Sequence, residues 1–452
     1  LNFFTPPVSS DTLDQISNLQ STGWNNSVNL RFTEPMGNLG MLQLSYSLAP
    51  QWTSSDQETF NYEEETSEYS LRDTLLSNVF ENRYLAQRFG AGYMMRSGKL
   101  FFISRLQYQI ASLDNDQVFP NTATTNFTFN NLLPFAMLRF RFEKQRDLRI
   151  IYRTSTNPPS ATQLQNVVDN SNPLQLSIGN PELEQDYSHR FIVRYNGTNT
   201  EKNQVFIFFL SGQLTNNYIG NSNFIASADT LMPQGVFLSE GTQLSMPVNL
   251  DGSWNTSAFM TIGRLVNKIK TNVNLNLSGS FQRTPGLLNG IENNTNTSTL
   301  GVGLVLSSNI SEKVDFTISS RTNINNTVNS FQASLNNQFI NQISKVKLNL
   351  IFGPGIVFRS ELNHSAYSGL SDGFNQNFWL WNLGLAKKFL KNNRTEVRLN
   401  VFDALRQNLS ITRNTTELYI EDIRTAVLQR YITLGFNWQI RDFGKGASPA
   451  GS

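Results

Sequence analysis

Apolar and polar residues alternate with a period of two along almost the whole chain, and this pattern constrains the fold most. Side chains of a β-strand point to opposite faces in turn, so strict alternation indicates strands with one apolar and one polar face. No helical period of comparable length competes. The clearest segment is Ile269–Phe281, in which Val273, Leu275 and Leu277 lie on one face and Asn272, Asn274 and Asn276 on the other.

Comparable segments recur from end to end and predict an all-β chain of roughly 17 strands, each long enough to cross a membrane. Phe, Leu, Val and Tyr on one face of nearly every strand require an apolar environment outside the sheet. Lipid supplies it, which favours a transmembrane antiparallel β-barrel over a soluble propeller or solenoid, for which a fixed repeat period is absent. Further strands are predicted at Val28–Phe32, Leu42–Leu48, Leu100–Ile110, Phe135–Phe142, Val205–Leu214, Leu300–Leu306, Val314–Ser320, Leu348–Phe352, Val397–Val401 and Ile432–Ile440.

The connections between these strands alternate between short and long. Short turns on one side and long loops on the other are typical of an outer-membrane barrel, with the turns in the periplasm and the loops outside the cell. We interpret Gly353–Gly355, around Pro354, as a bulge within a strand. Short polar turns are predicted at Glu34–Gly40, Arg96–Lys99, Glu143–Asp147, Gly197–Gln204, Arg264–Lys268, Asn309–Lys313, Asn341–Lys345 and Lys391–Arg394, and long loops at Ser54–Asp73, Pro158–Gln185, Ser222–Gly241 and Thr284–Thr297.

Composition excludes several classes of protein. Of the 452 residues 15% are charged, the net charge is +2, and there is no cysteine. The small net charge does not indicate nucleic-acid binding. The lack of cysteine excludes disulfides and thiol chemistry. The two histidines, His189 and His364, have no metal-ligand spacing, and no nucleophile–base pattern is visible, so the sequence predicts no metal, no cofactor and no enzymatic activity.

Arginines are the most informative polar residues. An arginine facing lipid at mid-membrane costs several kcal/mol, so arginines in the predicted strands should point into the barrel lumen. There they either pair with carboxylates and water or attract an anionic solute. The seven candidates are Arg105, Arg139, Arg141, Arg149, Arg153, Arg190 and Arg194.

The loop Pro158–Gln185 carries four prolines and several apolar residues, including Leu164, Leu176 and Ile178. Prolines restrict the backbone, and a loop that stays in solvent has no use for apolar side chains. We therefore expect this loop to fold over the mouth of the barrel or over its neighbour.

With the strands placed, the chain resembles the outer-membrane β-barrel proteins of the TonB-dependent receptor type found in Bacteroidota. The segments that carry the resemblance are FTEPMGN at Phe32–Asn38, DTLLSNVFEN at Asp73–Asn82, LLPFAMLRFRF at Leu132–Phe142, PPSATQLQNVVDNSNPLQLSIGNPEL at Pro158–Leu183 and the closing segment Phe402–Gly444.

The resemblance implies a 22-stranded barrel in which residues 1–443 form the C-terminal portion and residues 444–452 a flexible tail. The N-terminus is not a signal peptide. The resemblance implies that a plug, which the seven arginines would contact, and about five strands lie upstream. The implied function is TonB-powered import across the Gram-negative outer membrane. Implied partners are outer-membrane lipid, the plug, the TonB system and a surface lipoprotein or other envelope subunits. A non-transporting structural subunit and a passive porin remain alternatives.

Asp-Thr-Leu occurs three times, each time in a predicted outer loop, and resembles the O-glycosylation signal of Bacteroidota. The acceptors would be Thr12, Thr74 and Thr230.

Overall fold

The computed structural model describes residues 14–439 except 75, 121, 233–234, 309–310, 312, 371–373, 390–393 and 416–419. These residues form 27 strands, one short helix and two 3-10 turns, at Asn267–Ile269 and Ala333–Leu335. In chain order the elements are β1 (Gln15–Asn25), β2 (Val28–Met36), β3 (Gly40–Glu63), β4 (Glu68–Arg72), β5 (Asn78–Ser97), β6 (Leu100–Phe119), β7 (Ala123–Glu143), β8 (Arg146–Asn157), α1 (Ala161–Leu164), β9 (Val168–Asp169), β10 (Gln175–Ile178), β11 (Asp186–Asn199), β12 (Gln204–Asn216), β13 (Tyr218–Ile225), β14 (Thr230–Leu231), β15 (Phe237–Leu238), β16 (Gln243–Leu250), β17 (Ser253–Val266), β18 (Thr271–Leu288), β19 (Ile291–Ser308), β20 (Val314–Asn329), β21 (Asn337–Phe352), β22 (Ile356–Ser368), β23 (Gln376–Phe389), β24 (Thr395–Phe402), β25 (Ser410–Thr415), β26 (Ile420–Thr425) and β27 (Tyr431–Trp438).

Most strands belong to one antiparallel meander in which each strand pairs with the next main strand of the chain. Strands β1 and β2 both pair with β3, and together they form the first strand of the meander. The order then runs β3, β5 to β8, β11, β12, β17 to β24 and β27, which gives 17 main strands. The predicted count of about 17 is therefore confirmed, although the first strand begins earlier than Val28, at Gln15.

The strand registers separate the side chains into one polar and one apolar face. Residues directly opposite each other in an antiparallel pair share a face. Leu275 lies opposite Ile262 and Leu304, whereas Asn274 lies opposite Gly263 and Val305. Leu275 is 37% exposed on the apolar face. The predicted faces of Ile269–Phe281 are thus confirmed from Thr271 onward, where β18 begins.

Two predicted connections between β20 and β22 are wrong. Asn341–Lys345 lies inside β21, and the hairpin turn falls at Gly353–Gly355, which the sequence had suggested as a bulge. Gly353 and Gly355 have positive φ values of 45° and 85°. Glycine adopts this conformation without strain, and Pro354 needs no partner for an N–H in a turn, so these residues suit a hairpin better than a ladder.

Two predicted long loops are mostly strand. Ser54–Glu63 continues β3, which has 24 residues, and Thr284–Thr297 is a tight hairpin between β18 and β19. About 10 residues suffice to cross a membrane as a strand, so these strands project well beyond it. Their projecting parts are rich in Ser, Thr and Asn, because both faces meet water there. The predicted turns Asn309–Lys313 and Lys391–Arg394, and the tail 444–452, lie wholly or largely outside the described residues.

The longest connections fold inward and form a small extension of the same sheet, which we call the cap: Pro158–Gln185 together with β13 and β16. Within it β9 pairs with β10, β10 with β16, and β16 with β13. Strand β13 in turn pairs with the long-loop end of β18, through Ser222–Leu287 and Asn223–Leu288. The prediction that Pro158–Gln185 folds over the mouth is confirmed.

Candidate functional site

All seven predicted arginines lie on the polar face of strands β6, β7, β8 and β11. Arg139 is directly opposite Arg149, and Arg149 is directly opposite Arg194. We call this set the arginine wall, and its members are Arg105, Arg139, Arg141, Arg149, Arg153, Arg190 and Arg194. Its position next to the short turns after β5 and β7 places it at the short-turn end of the meander.

A second row of the arginine wall lies farther from the short turns. Arg153 is opposite Arg190, and Phe135 stands opposite both Arg105 and Arg153. The Arg105 guanidinium carbon is 5.4 Å from the centroid of the Phe135 ring, a cation–π distance. The arginine wall therefore has two rows. Arg139, Arg149 and Arg194 form the first row near the short turns, and Arg105, Arg153 and Arg190 form the second row with Phe135.

Carboxylates are scarce around these arginines. Arg139 Nε is 3.3 Å from Asp147 Oδ2, and this is the one ion pair that the described residues make with the arginine wall. Arg194 Nε donates to Asn196 Oδ1 at 3.3 Å. The Nε atoms of Arg149 and Arg190 are buried and reach no acceptor among the described residues. Like charges directly opposite each other destabilise a sheet. Few carboxylates on this surface offset that repulsion.

The first row lines a cavity of about 360 Å³ beside the turn at Gly98–Lys99. Arg96, Lys99, Phe101 and Met137 contribute to its walls together with Arg139, Arg141 and Arg149. A space of this size lined by several guanidinium groups can hold carboxylate or phosphate groups through paired N–H donors.

A second charged region lies on the polar face of β21 to β24, and the sequence analysis missed it. Glu361 forms ion pairs with both Lys345 and Lys347, with Nζ–Oε distances of 3.2 and 3.4 Å. Glu396 pairs with Arg398 and with Arg359, the latter at 3.5 Å. The rule that located the arginine wall, charged residues on the polar face of a predicted strand, would have found these residues too. Here each of the four cations lies within ion-pair distance of a carboxylate.

The cap is held against the meander by buried apolar side chains. Leu164 and Leu183, which are 1% and 0% exposed, pack against Tyr84, Ala86 and Leu113. A second cluster joins the cap to the segment before β5, and it consists of Leu76, Val168, Leu176, Ile178, Ala226, Val236, Leu238 and Leu244.

Hydrogen bonds fix the ends of the cap. Glu184 N donates to Asn249 Oδ1 at 2.8 Å, and Asn249 Nδ2 returns a bond to Glu184 O at 3.0 Å. Asn170 Nδ2 donates to Gln15 Oε1 at 3.0 Å, so the cap reaches the first strand as well as β18. Ser160 and Gln163 form a capping box at the N-terminus of α1.

A cavity of about 640 Å³ lies between the cap and β7. Phe127, Pro181 and Met246 give it an apolar lining, and Asn166 and Glu182 add polar groups. Its size is within the range of small-molecule sites. It lies at the long-loop end, whereas the arginine wall lies at the short-turn end.

The described residues contain no group of three or more His, Asp or Glu side chains placed to hold a metal ion. His189 Nδ1 is 2.9 Å from the Tyr152 hydroxyl, and His364 Nε2 is 2.6 Å from Asn377 Oδ1. No helix among these residues is long and apolar enough to cross a membrane.

The predicted glycosylation sites differ in their surroundings. Thr74 is exposed in the turn before β5, whereas the Thr230 hydroxyl donates to Ala228 O at 2.7 Å. Thr12 lies outside the described residues.

If these threonines carry glycans, the intact mass of the protein from its native cell will exceed the sequence mass, and Thr74→Ala will reduce the excess. A mass equal to that of the sequence would end this prediction.

A 17-strand antiparallel meander with a continuous apolar face and a capped polar face is a transmembrane β-barrel architecture. A family model described as "Outer membrane protein beta-barrel family" matches residues 2–344, and the chain belongs to that family. It is therefore an outer-membrane protein whose apolar face meets lipid and whose polar face lines the lumen. The cap lies at the extracellular end, and the arginine wall at the periplasmic end.

Solved structures of outer-membrane receptors and transporters are similar to this chain at 10% identity. They include the ferric yersiniabactin uptake receptor FyuA from Yersinia pestis (TM-score 0.37, 92% of this chain and 61% of that chain), the copper transporter OprC (0.40, 96% and 75%) and the ferric enterobactin receptor PfeA from Pseudomonas aeruginosa (0.35, 95% and 79%). The chain thus spans less than two thirds of the length of FyuA. No curated protein matches it.

Proposed function

We propose that this chain is the barrel portion of a TonB-dependent receptor that imports a substrate across the outer membrane without covalent chemistry. The observation that carries the proposal is the cap, a folded sheet fixed to β1, β5, β6 and β18 at the extracellular mouth. A passive porin needs an open water-filled mouth, whereas a receptor needs a structured surface there. The cavity of about 640 Å³ under the cap is the candidate substrate site.

Barrel closure is part of this proposal. Among the described residues, β27 pairs with β24 alone, and β1 and β2 pair with β3 alone. Each unpaired backbone group in hydrocarbon costs several kcal/mol, so membrane strands close into rings. We expect additional strands of the same protein to bridge these two edges and a plug to occupy the lumen, with the TonB system acting on the plug from the periplasm.

Growth across a panel of sole iron, carbon and nitrogen sources tests the function. A strain lacking the complete gene should fail on a particular source, and the complementing protein should support growth only when TonB is present. Growth that returns without TonB would indicate a passive pore. If growth is unchanged on every source and partner proteins are lost from the envelope instead, the structural-subunit alternative replaces the proposal.

A further inference from the structure

The arginine wall has a strong excess of positive charge that its own strands do not balance. On the polar face of β6, β7, β8 and β11 the registers place seven arginines but only two carboxylates, Asp147 and Asp186. Asp147 pairs with Arg139, and Asp186 lies at the far extracellular end of β11, where it accepts from Asn157. The surplus is therefore concentrated in the periplasmic half.

The cations on the polar face of β21 to β24 are paired differently. On β21 to β24, Lys345 and Lys347 share Glu361, while Arg359 and Arg398 share Glu396. On β21 to β24 each of these four cations thus reaches a carboxylate, whereas in the arginine wall only Arg139 does so among the described residues. The buried Nε atoms of Arg149 and Arg190 face no acceptor among those residues. Buried charged donors cost free energy unless an acceptor reaches them.

The spacing of the guanidinium groups indicates the shape of the acceptor. Arg139, Arg149 and Arg194 lie on three consecutive paired strands, so their backbones span about 10 Å at roughly 4.8 Å per strand. Arg153 and Arg190 form a second row four residues, about 13 Å, along the strands. One phosphate or one small carboxylate reaches only part of this surface. An extended peptide, which places alternate side chains about 7 Å apart on one face, matches it.

We propose that the arginine wall binds an acidic polypeptide segment lodged in the periplasmic half of the lumen, with Asp or Glu side chains reaching the cavity lined by Arg139, Arg141 and Arg149. This inference rests on the proposed function, because the segment would belong to the plug. Arginine forks hold carboxylates through two parallel N–H donors. The Phe135 ring supports the Arg105 guanidinium group at 5.4 Å.

Site-specific photo-crosslinking in the complete protein in its native membrane identifies the segment. Benzoylphenylalanine replaces Met137, which lines the cavity, and in a matched control it replaces Val305, which faces the lumen on β19 far from the arginine wall. We expect crosslinks from position 137 to a peptide with a net negative charge and crosslinks from position 305 to a different peptide. Crosslinks from position 137 to neutral or basic peptides only, or to none, would overturn the inference.

A second measurement uses the sign of a mutational effect. In an isolated barrel, Arg149→Gln relieves repulsion from Arg139 and Arg194 and should raise thermal stability. With an acidic segment bound, the same change removes hydrogen bonds to charged groups and should make the segment about tenfold more sensitive to protease from the periplasmic side. Arg321→Gln is the control, because Arg321 also faces the lumen but donates to Asn323 and Ser278 within the barrel.

The outcomes separate this inference from the proposed function. If Arg149→Gln raises thermal stability of the complete protein and leaves protease sensitivity unchanged, the acidic segment is refuted, whatever the growth assay shows. TonB-dependent growth together with neutral crosslinks would leave the transport proposal standing and remove only this inference.

Discussion

Leu275→Arg is expected to prevent assembly of the barrel, whereas Asn274→Arg is expected to be tolerated. The two residues are neighbours in β18, but Leu275 faces lipid and Asn274 faces the lumen. An arginine on the lipid face costs about 2–4 kcal/mol near the bilayer midplane, while a lumen-facing arginine stays in water. This amount is a large fraction of the net stability of a typical protein.

Heat-modifiable migration of outer-membrane extracts and surface labelling of intact cells measure the amount of folded barrel. We expect little folded Leu275→Arg protein and a near-normal amount of Asn274→Arg protein. Leu277→Arg, on the same lipid face, should behave like Leu275→Arg. Equal folding of the two neighbouring substitutions would refute the assignment of Leu275 to the lipid face and Asn274 to the lumen.

Leu183→Ala is expected to release the cap from the barrel. Leu183 is 0% exposed and packs with Leu164 against β5 and β6. Truncating a fully buried leucine typically costs about 2–5 kcal/mol, more than a local segment of this size can lose without opening part of the time. Protease added to intact cells should then cut within Pro158–Gln185 much faster than in the unaltered protein.

The same loop provides a matched control for this prediction. Leu174 lies in the cap but is 66% exposed, so Leu174→Ala should leave the cleavage rate nearly unchanged. The total amount of barrel should be similar for both variants, because β5 and β6 keep their strand pairing. Similar cleavage rates for both variants would show that the apolar cluster does not hold the cap.

Strand number and face assignment were predictable because they depend on local periodicity. Alternation around Leu275 places lipid-facing and lumen-facing residues without knowledge of any partner strand, and the arginines in β6 to β11 follow the same rule. Strand ends were less predictable. Polar residues such as Ser54 and Thr284 were interpreted as loop, because a strand that projects into water has the composition of a loop.

The predicted position of the turn between β20 and β22 was wrong for a related reason. Asn341–Lys345 is a polar run, but Asn341 and Lys345 face the lumen, where polar side chains belong. The glycines at 353 and 355 carry the positive φ that a tight turn needs, and this requirement is stronger evidence for a turn than polarity. Backbone conformation, rather than hydrophilicity, marked the end of the strand.

The sequence by itself determined that this chain contributes about 17 strands to a membrane barrel and that arginines lie on their polar face. It did so because the alternation within each strand shows which side meets lipid. Tertiary structure alone decided which charges meet. Whether Arg149 stands beside Arg139 depends on strand register, and a slip of one residue would turn every side chain to the other face. It also decided that the cap exists, since contacts such as Asn170 with Gln15 join residues far apart in the chain. Such contacts leave no periodic trace in the sequence.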